Sequence, residues 1–299
     1  MHSLKSEAKK RKREVQEEQA QNIARQLNPQ LKRSVELARK KGSSSWLTTL
    51  PLKEHGFLLN KSEFRDAIRL RYGWSLSNLP QLCNCGTAFS VDHAMICHLG
   101  GIPTIRHNEI RDLTATLITE VCHNVSTEPL LQPLSGEHFS HQSANTEPNA
   151  RLDIRARGFW STGQDAFFDV RVFHPNASSN RSSTIAAAYR KHETIKKREY
   201  AQRVLEVEHG VFTPLIFSTT GGMGREATTF YKRLADKIAT KQKTSYSKVM
   251  GWLRCRVSFA ILRSAILCIR GSRSSFHRPI HALNVALATS EGHIPSTDF

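Results

Sequence analysis

The chain of 299 residues is long enough to bury an extensive apolar core, which excludes a small scaffold held together by disulfides. Its 43 lysines and arginines outnumber 26 aspartates and glutamates, and the net charge of +17 favours a polyanionic partner, nucleic acid first and an acidic membrane surface second. Charges interrupt every apolar stretch of about 18 to 20 residues, and no apolar run follows the basic N-terminus, which predicts an intracellular protein without a transmembrane helix or signal peptide.

The N-terminal residues 1–45 form a charged segment rich in Lys, Arg, Glu and Gln. This composition predicts an exposed helix or a partly disordered arm. The run KKRKREV at 9–15 is typical of a nuclear import signal or of a patch that binds phosphate, and a solvated charge run is the alternative. The import interpretation places the protein in the nucleus.

Residues 46–82 bring the first substantial apolar content. The spacing of Phe64, Ala67 and Ile68 predicts a short amphipathic helix that begins near Lys61. We therefore expect a helical segment between the charged arm and the cysteines that follow.

Residues 83–104 hold a concentrated set of thiol and imidazole groups in CNCGTAFSVDHAMIC. Three thiolates and one imidazole form the tetrahedral donor set typical of structural zinc, and buried thiols without a metal are the alternative. The predicted ligands are Cys83, Cys85, His93 and Cys97, with Asp92 or His98 as substitutes. His93 and Cys97 are four positions apart, so one helical turn presents both on one face, and Gly86 lets the backbone turn after the first pair.

Residues 105–240 alternate between helical and strand patterns, which predicts an α/β domain with helices packed on a mixed sheet. The predicted elements are a helix at 105–124, strands at 128–134, 151–157 and 165–173, a helix at 184–210, a strand at 211–219 and a helix at 224–241. Beyond this domain we expect a C-terminal helix within 241–273, with its helical pattern at 246–270, and a tail at 274–299.

The strands at 151–157 and 165–173 each carry an aspartate on the polar side of an alternating pattern. A turn centred on Ser161 pairs residues at equal distances on either side, which places Asp153 directly opposite Asp169. Two ionised carboxylates about 5 Å apart repel by roughly 3 kcal/mol, so the pair needs a shared proton, nearby arginines or a divalent cation. A cation site and a surface hairpin whose aspartates pair with arginines are both compatible with this pattern.

The helix predicted at 184–210 offers a positive charge to the two aspartates. Lys196 lies at helical spacing from Tyr189, Glu193 and Tyr200, so it shares the face that should pack on the sheet. Lys191 is the second candidate, on a neighbouring stripe. Two carboxylates, a divalent ion and a lysine are the groups that activate water and stabilise charge on a phosphodiester, and a lysine that snorkels from a packed helix is the alternative.

Several segments taken in order resemble a known family: CNCG, SVDHAMIC, RHNEIRDL, LDI and FFDVRV, followed by the helix that carries Lys and Tyr. They are similar to the C-terminal part of site-specific non-LTR retrotransposon proteins, where a zinc knuckle precedes a restriction-enzyme-like endonuclease of the PD-(D/E)XK type. The resemblance covers about residues 83–220. It implies an α/β restriction-endonuclease-like fold, a mixed sheet flanked by helices, with a small zinc knuckle and helical N- and C-terminal extensions.

The resemblance also implies an activity, the Mg²⁺-dependent hydrolysis of DNA. It assigns Asp153 and Asp169 to the acidic positions that bind magnesium, and Lys196 or Lys191 to the motif lysine. Glu109 is a further candidate magnesium ligand from the first helix. The chain contains no Asp-Asp dipeptide, so we expect no reverse transcriptase.

The segment resembling this nuclease differs from the motif at two positions. Leu152 stands where the motif has proline, and Arg171 occupies the lysine of D-x-K. A guanidinium cannot act as a base but can bind phosphate. The further candidates for contact with DNA, or with RNA, are Arg106, His107 and Asn108.

Three classes of function are therefore compatible with the sequence. The first is a DNA endonuclease with structural Zn²⁺ and catalytic Mg²⁺. The second is a catalytically inert, zinc-containing nucleic-acid-binding protein. The third is a structural protein that associates with itself through its C-terminal helix.

Overall fold

The computed structural model describes residues 2–271 as mixed α/β structure with a four-stranded mixed sheet flanked by helices. The α-helices are α1 His2–Gln26, α2 Pro29–Ala38, α3 Ser45–Thr48, α4 Lys61–Tyr72, α5 Val91–Ile96, α6 Ile102–Thr119, α7 Ser178–Arg181, α8 Ile185–Glu206, α9 Arg225–Gln242 and α10 Tyr246–Arg270. The strands are β1 His123–Thr127, β2 Ile154–Arg157, β3 Asp165–Phe173 and β4 Val211–Ser218. The predicted tail at 274–299 lies outside the described residues.

The N-terminal helices begin at residues whose side chains cap them. Asn28 accepts a hydrogen bond from Leu31 N at 2.9 Å at the start of α2. Asn60 and Glu63 form a reciprocal capping box at the start of α4. This cap explains why α4 begins at Lys61, as its apolar spacing predicts.

The sheet has the order β1-β2-β3-β4, with β3 and β4 parallel and the other neighbours antiparallel. The predicted hairpin register is confirmed, because Ile154 lies opposite Phe168 and Arg157 lies opposite Asp165. Residues Gly158 to Gln164 close the turn, with Gly158 N donating to Gln164 O at 2.9 Å. The two aspartate-bearing segments are therefore neighbours in the sheet.

The first strand of the sheet is not the one that the sequence predicts. The prediction at 128–134 is wrong, since this stretch makes an isolated bridge between Leu130 and Arg151 rather than a strand. Its prolines lack the N–H groups that a ladder requires. The strand is instead β1, whose first two residues overlap the end of the helix predicted at 105–124. Most of β1 is exposed and lies at the sheet edge, so it shows no apolar alternation.

Helices cover both faces of the sheet. Ile154, Phe168 and Leu215 belong to the main apolar core with α6, α9 and α10, whereas Phe173 and Ile216 pack against α8 on the other face. An unbroken strand alternation would place Leu152 on the same face as Ile154, but Leu152 packs on the α8 face, with Phe167 and Tyr200 among others. The backbone bends at Asp153, just before β2, which interrupts the alternation.

The C-terminal helix α10 connects the sheet to the N-terminal helices. Its residue Arg270 binds the buried Asp66 of α4 through two hydrogen bonds of 2.6 and 3.0 Å. Arg263 reaches the loop before α4, where it donates to Leu58 O at 3.0 Å. Within residues 2–271, no helix has the length and apolar character needed to cross a membrane.

Candidate metal centre and aspartate site

The four predicted zinc ligands lie together beside α5. Their donor atoms are all within 4.8 Å of one another. Cys83 Sγ lies 3.8 Å from Cys97 Sγ, and Cys85 Sγ lies 3.3 Å from His93 Nε2. Ligand atoms around one tetrahedral zinc are roughly 3.5 to 3.8 Å apart. The donor types and their spacing therefore fit zinc, and this Cys3His cluster can hold such a metal.

A short turn and a helix cap position these ligands. Cys83 N donates to Thr87 O at 2.8 Å, and Gly86 between them adopts the left-handed φ of 83° that favours glycine. Ser90 caps α5 by accepting a hydrogen bond from His93 N at 3.0 Å. Hydrogen bonds from Thr87 lower the pKa of the exposed Cys85 thiol to about 6, which favours the thiolate that a metal binds.

Asp92, a substitute zinc ligand in the sequence prediction, instead joins α5 to the sheet. Its Oδ1 lies 2.9 Å from Nε2 of His174, the residue that follows β3. His174 Nδ1 in turn lies 2.7 Å from Thr219 Oγ1, just beyond β4. The Cys3His cluster is thus attached, through Asp92 of α5, to the carboxyl ends of the two parallel strands.

The fold brings Asp153 and Asp169 into one site. Asp153 Oδ2 accepts a hydrogen bond of 2.5 Å from Val170 N, the residue that follows Asp169 in β3. Asp153 Oδ1 lies 2.9 Å from His107 Nε2 of α6. Asp169 is buried on the α8 face, where Lys196 Nζ lies 3.3 Å from its Oδ1. Lys196 therefore reaches Asp169 from the helix face that the sequence indicates.

The charges at this site strongly influence one another. Burial is the main cause that raises the pKa of Asp169 to about 7; Lys196 opposes this rise, and the charge of Asp153 adds to it. Burial alone would lower the pKa of Lys196, but the carboxylates of Asp169 and Glu199 hold it above its usual value. His107 behaves in the same way, since contact with Asp153 outweighs burial and raises its pKa.

One oxygen of this site has no hydrogen-bond partner among the described residues. Asp169 Oδ2 is buried, although Oδ1 of the same carboxylate contacts Lys196. A buried carboxylate oxygen without a donor is costly, and a divalent cation is a partner that carboxylates bind well. This oxygen is the feature of the site that favours a cation at Asp169, whereas both oxygens of Asp153 already contact protein groups.

Asp169 should make the fold less stable as the pH rises. Its folded pKa of about 7 exceeds the ordinary value of 3.8, so its stabilising contribution is complete below about pH 4 and is lost as the pH rises through about 7. We expect Asp169→Asn, which stays neutral, to raise the free energy of unfolding at pH 8 by on the order of 4 kcal/mol without metal. Urea unfolding at pH 4 and pH 8 measures this, and the same pH dependence in both proteins would contradict it.

Two predicted site residues do not reach the aspartates. Lys191 is exposed and donates to Ser179 O at 3.2 Å. Glu109 accepts a hydrogen bond from Ser264 of α10. Two positions on a helix differ by about 200°, so Glu109 points away from the side of α6 on which His107 meets Asp153.

The residues predicted to bind nucleic acid have different surroundings. Arg106 is only 4% exposed and donates to Met95 O at 3.1 Å, so its guanidinium is a structural link between α6 and α5 rather than a surface group. His107 contacts Asp153, and Asn108 is half-buried. Arg171 is half-buried on β3, near His192. Burial of His192 and the positive charge of Arg171 lower the pKa of that histidine to about 4.

Sequence reasoning missed the residue that fixes the loop before Asp153. Arg203 of α8 is fully buried and donates to Asn145 O and Glu147 O at 2.9 Å and to Gln132 O at 3.0 Å. All three acceptors are backbone carbonyls, so no side-chain pattern marks them. The same helix thus presents Lys196 and holds the loop that leads to Asp153.

No protein-family model matches this chain, and no curated protein sequence is significantly similar to it.

Proposed function

We propose that this protein is a Mg²⁺-dependent DNA endonuclease of the PD-(D/E)XK type, derived from a non-LTR retrotransposon and without a reverse transcriptase. The observation that carries the proposal is the buried Asp169, which lies beside Asp153 and the ammonium of Lys196 and has one oxygen without a hydrogen-bond partner in the described part of the chain. A mixed sheet with helices on both faces supports a restriction-endonuclease-like fold. Nuclear localisation is part of the same proposal.

The chain's own groups have distinct roles in this reaction. Asp153 and Asp169 would hold Mg²⁺, which when bound supplies a Lewis acid and lowers the pKa of water. Lys196 keeps a positive charge at the site, where it stabilises the negative charge that develops on the phosphate. His107 fixes the orientation of the Asp153 carboxylate through their contact of 2.9 Å.

The charge distribution supports nucleic acid as the substrate. The exposed side chains of the basic run in α1 include Lys10, Arg11, Lys12 and Arg13. Arg171 lies two positions after Asp169 on the same strand, and a guanidinium can bind a phosphate oxygen there. These groups contact phosphates, which are the same in every sequence, so they contribute affinity rather than a target site.

Plasmid nicking tests the proposed function. The full chain is incubated with supercoiled DNA and either Mg²⁺ or a chelator, beside Asp153→Asn. We expect the wild type to convert supercoiled DNA to open circles in Mg²⁺ but not in the chelator. Asp153→Asn should produce no open circles in either condition. Asp236→Asn, which changes an exposed aspartate of α9, should cleave like the wild type. DNA that is bound but not cleaved by the wild type in Mg²⁺ would contradict an endonuclease.

Lys196→Met should lower the cleavage rate by about 100-fold, because it removes the charge beside Asp169. Binding of DNA should change little, since one buried ammonium adds little to the total charge. Lys197→Met is the matched control, as this neighbouring lysine points to Glu226 at the surface. Single-turnover cleavage of a labelled duplex gives the rate. A decrease in this rate of less than threefold in Lys196→Met would show that Lys196 does not take part in the reaction.

A second candidate function is an inert nucleic-acid-binding protein that contains zinc. The observation in its favour is that both oxygens of Asp153 have protein partners, His107 and Val170 N. Arg171 at the motif lysine position also favours it. Such a protein would bind DNA with affinity that falls steeply as salt rises, but would not cleave it with Mg²⁺.

A further inference from the structure

A second site lies at one end of the sheet. A cavity of about 440 Å³ is bounded by the residues that follow β3 and β4, including His174 and Thr219, and by α2, α4, α5 and α10. His174 is five residues beyond Asp169, which is roughly 16 Å along a strand. This end cavity is therefore separate from the aspartate site.

Its place in the fold is one where ligands commonly bind. The chain leaves β3 toward α8 on one face of the sheet and leaves β4 toward α9 on the other. Diverging connections at the carboxyl ends of neighbouring parallel strands open a crevice there. The volume also lies within the range of about 300 to 1,000 Å³ that is usual for small-molecule sites.

The wall of the end cavity is preformed. The hydrogen bonds of His174 to Asp92 and Thr219, 2.9 and 2.7 Å long, fix the strand ends. Arg33 of α2 donates to Asn176 Oδ1 at 3.1 Å and to Pro175 O at 2.8 Å, which holds the loop after β3. A rigid wall lowers the cost of ordering the site when a ligand binds.

The lining combines apolar surface with positive charge. Apolar walls come from several elements, namely Leu37, Trp46, Leu70, Trp74, Leu262 and Ala265. Arg69 and Arg71 of α4 also line the cavity, whereas the acidic Asp92 is already paired with His174. Arg71 Nε is buried with no hydrogen-bond partner among residues 2–271, although Nη1 of the same side chain donates to Ala38 O at 3.2 Å. An anionic oxygen would satisfy this N–H.

We propose that the end cavity binds a small planar organic anion, with its flat apolar body between the walls and its anionic group on Arg71. Aromatic rings stack favourably on planar groups, and Trp46 and Trp74 both line the cavity, where Trp74 is held by stacking on Tyr72. Two sources share this chemistry, a nucleoside monophosphate and a non-nucleotide aromatic acid. The site does not depend on the proposed nuclease activity.

Calorimetric titration of the full chain tests the proposal with AMP, adenosine and 8-anilino-1-naphthalenesulfonate as probes. We expect AMP or the naphthalenesulfonate to bind with one molecule per chain. Binding of AMP assigns the site to nucleotides, and binding of the naphthalenesulfonate alone assigns it to aromatic acids. The proposal is overturned if neither AMP nor the naphthalenesulfonate binds. It is also overturned if AMP binds but adenosine, which lacks the phosphate, binds as tightly.

Two variants locate the site. Arg71→Gln should weaken binding about tenfold or more, and Ala265→Phe should abolish it by filling the cavity. Arg65→Gln is the matched control for charge, since Arg65 lies on α4 but is exposed outside the cavity. Circular dichroism confirms that each variant is folded. Equal affinity in wild type, Arg71→Gln and Arg65→Gln overturns the assignment to the end cavity.

Discussion

Asp169→Asn should abolish Mg²⁺-dependent cleavage, with a loss of at least about 1,000-fold in rate. Asparagine has nearly the shape of aspartate but replaces an anionic oxygen with a neutral amide. No group of residues 2–271 donates a hydrogen bond to Oδ2 of Asp169, so this is the atom in the site that most needs a cation. The variant should therefore lose divalent-ion binding while it keeps the fold.

The same variant separates a catalytic role from a structural one. Ionised Asp169 should destabilise the fold at high pH, so Asp169→Asn should be more stable than the wild type at pH 8. The same variant should be inactive, because it lacks the carboxylate that would bind the cation. Asp165→Asn is the control on the same strand, where the carboxylate pairs with Arg155 at 2.7 Å. Cleavage by Asp169→Asn within tenfold of wild type would show that Asp169 does not act in the reaction.

Removal of zinc should unfold the segment 83–104 and release α5 from the sheet. The free energy of binding a structural zinc is about 10 to 16 kcal/mol in small zinc-finger peptides, and it stabilises only the folded form. In this chain α5 also supports its neighbours, because Asp92 binds His174 and Arg106 binds Met95 O. We expect Cys97→Ser, or treatment with a chelator, to lower the melting temperature by more than about 10 °C.

Zinc content and hydrogen exchange measure this effect. The wild type should contain one zinc per chain, and the amides of α5 should lose protection when it is removed. Cys255→Ser is the control, since this thiol contacts Thr49 far from the cluster in sequence. A wild-type protein without zinc, or one whose α5 remains protected after chelation, would contradict a structural metal centre.

The features that could be predicted from sequence are those encoded over short distances. The pairing of Ile154 with Phe168 follows from two alternating strands and a short turn. The clustering of Cys83, Cys85, His93 and Cys97 follows from a tight turn and one helical turn. The helical spacing of Lys196 with Tyr200 likewise placed its ammonium on the sheet face.

The features that could not be predicted depend on distant parts of the chain. The helix α6 contacts both α10 and the sheet, so residues on every side of it are buried or half-buried. The sequence of α6 therefore could not show that Arg106 is interior or that Glu109 faces α10. Arg203 acts through backbone carbonyls far away in sequence. The strand β1 is recognisable only from its partner β2, since most of it is exposed.

The aspartate site and the Cys3His cluster should have opposite effects on stability. A metal held by Cys83 and Cys97 would stabilise the fold, whereas burial of Asp169 without a cation should destabilise its ionised form. Residues arranged for chemistry often cost stability in this way. The raised pKa of Asp169 is therefore consistent with a site that becomes fully favourable only when a cation binds.

Binding of Mn²⁺, a substitute for Mg²⁺, tests the central claim most directly. The paramagnetic resonance signal of free Mn²⁺ at pH 8 reports how much ion the wild type, Asp153→Asn and Asp169→Asn each bind. The account predicts a site in the wild type that each variant weakens by at least about tenfold, and that Asp236→Asn leaves unchanged. Equal binding by all four proteins, or none by the wild type, would contradict a metal site at Asp153 and Asp169.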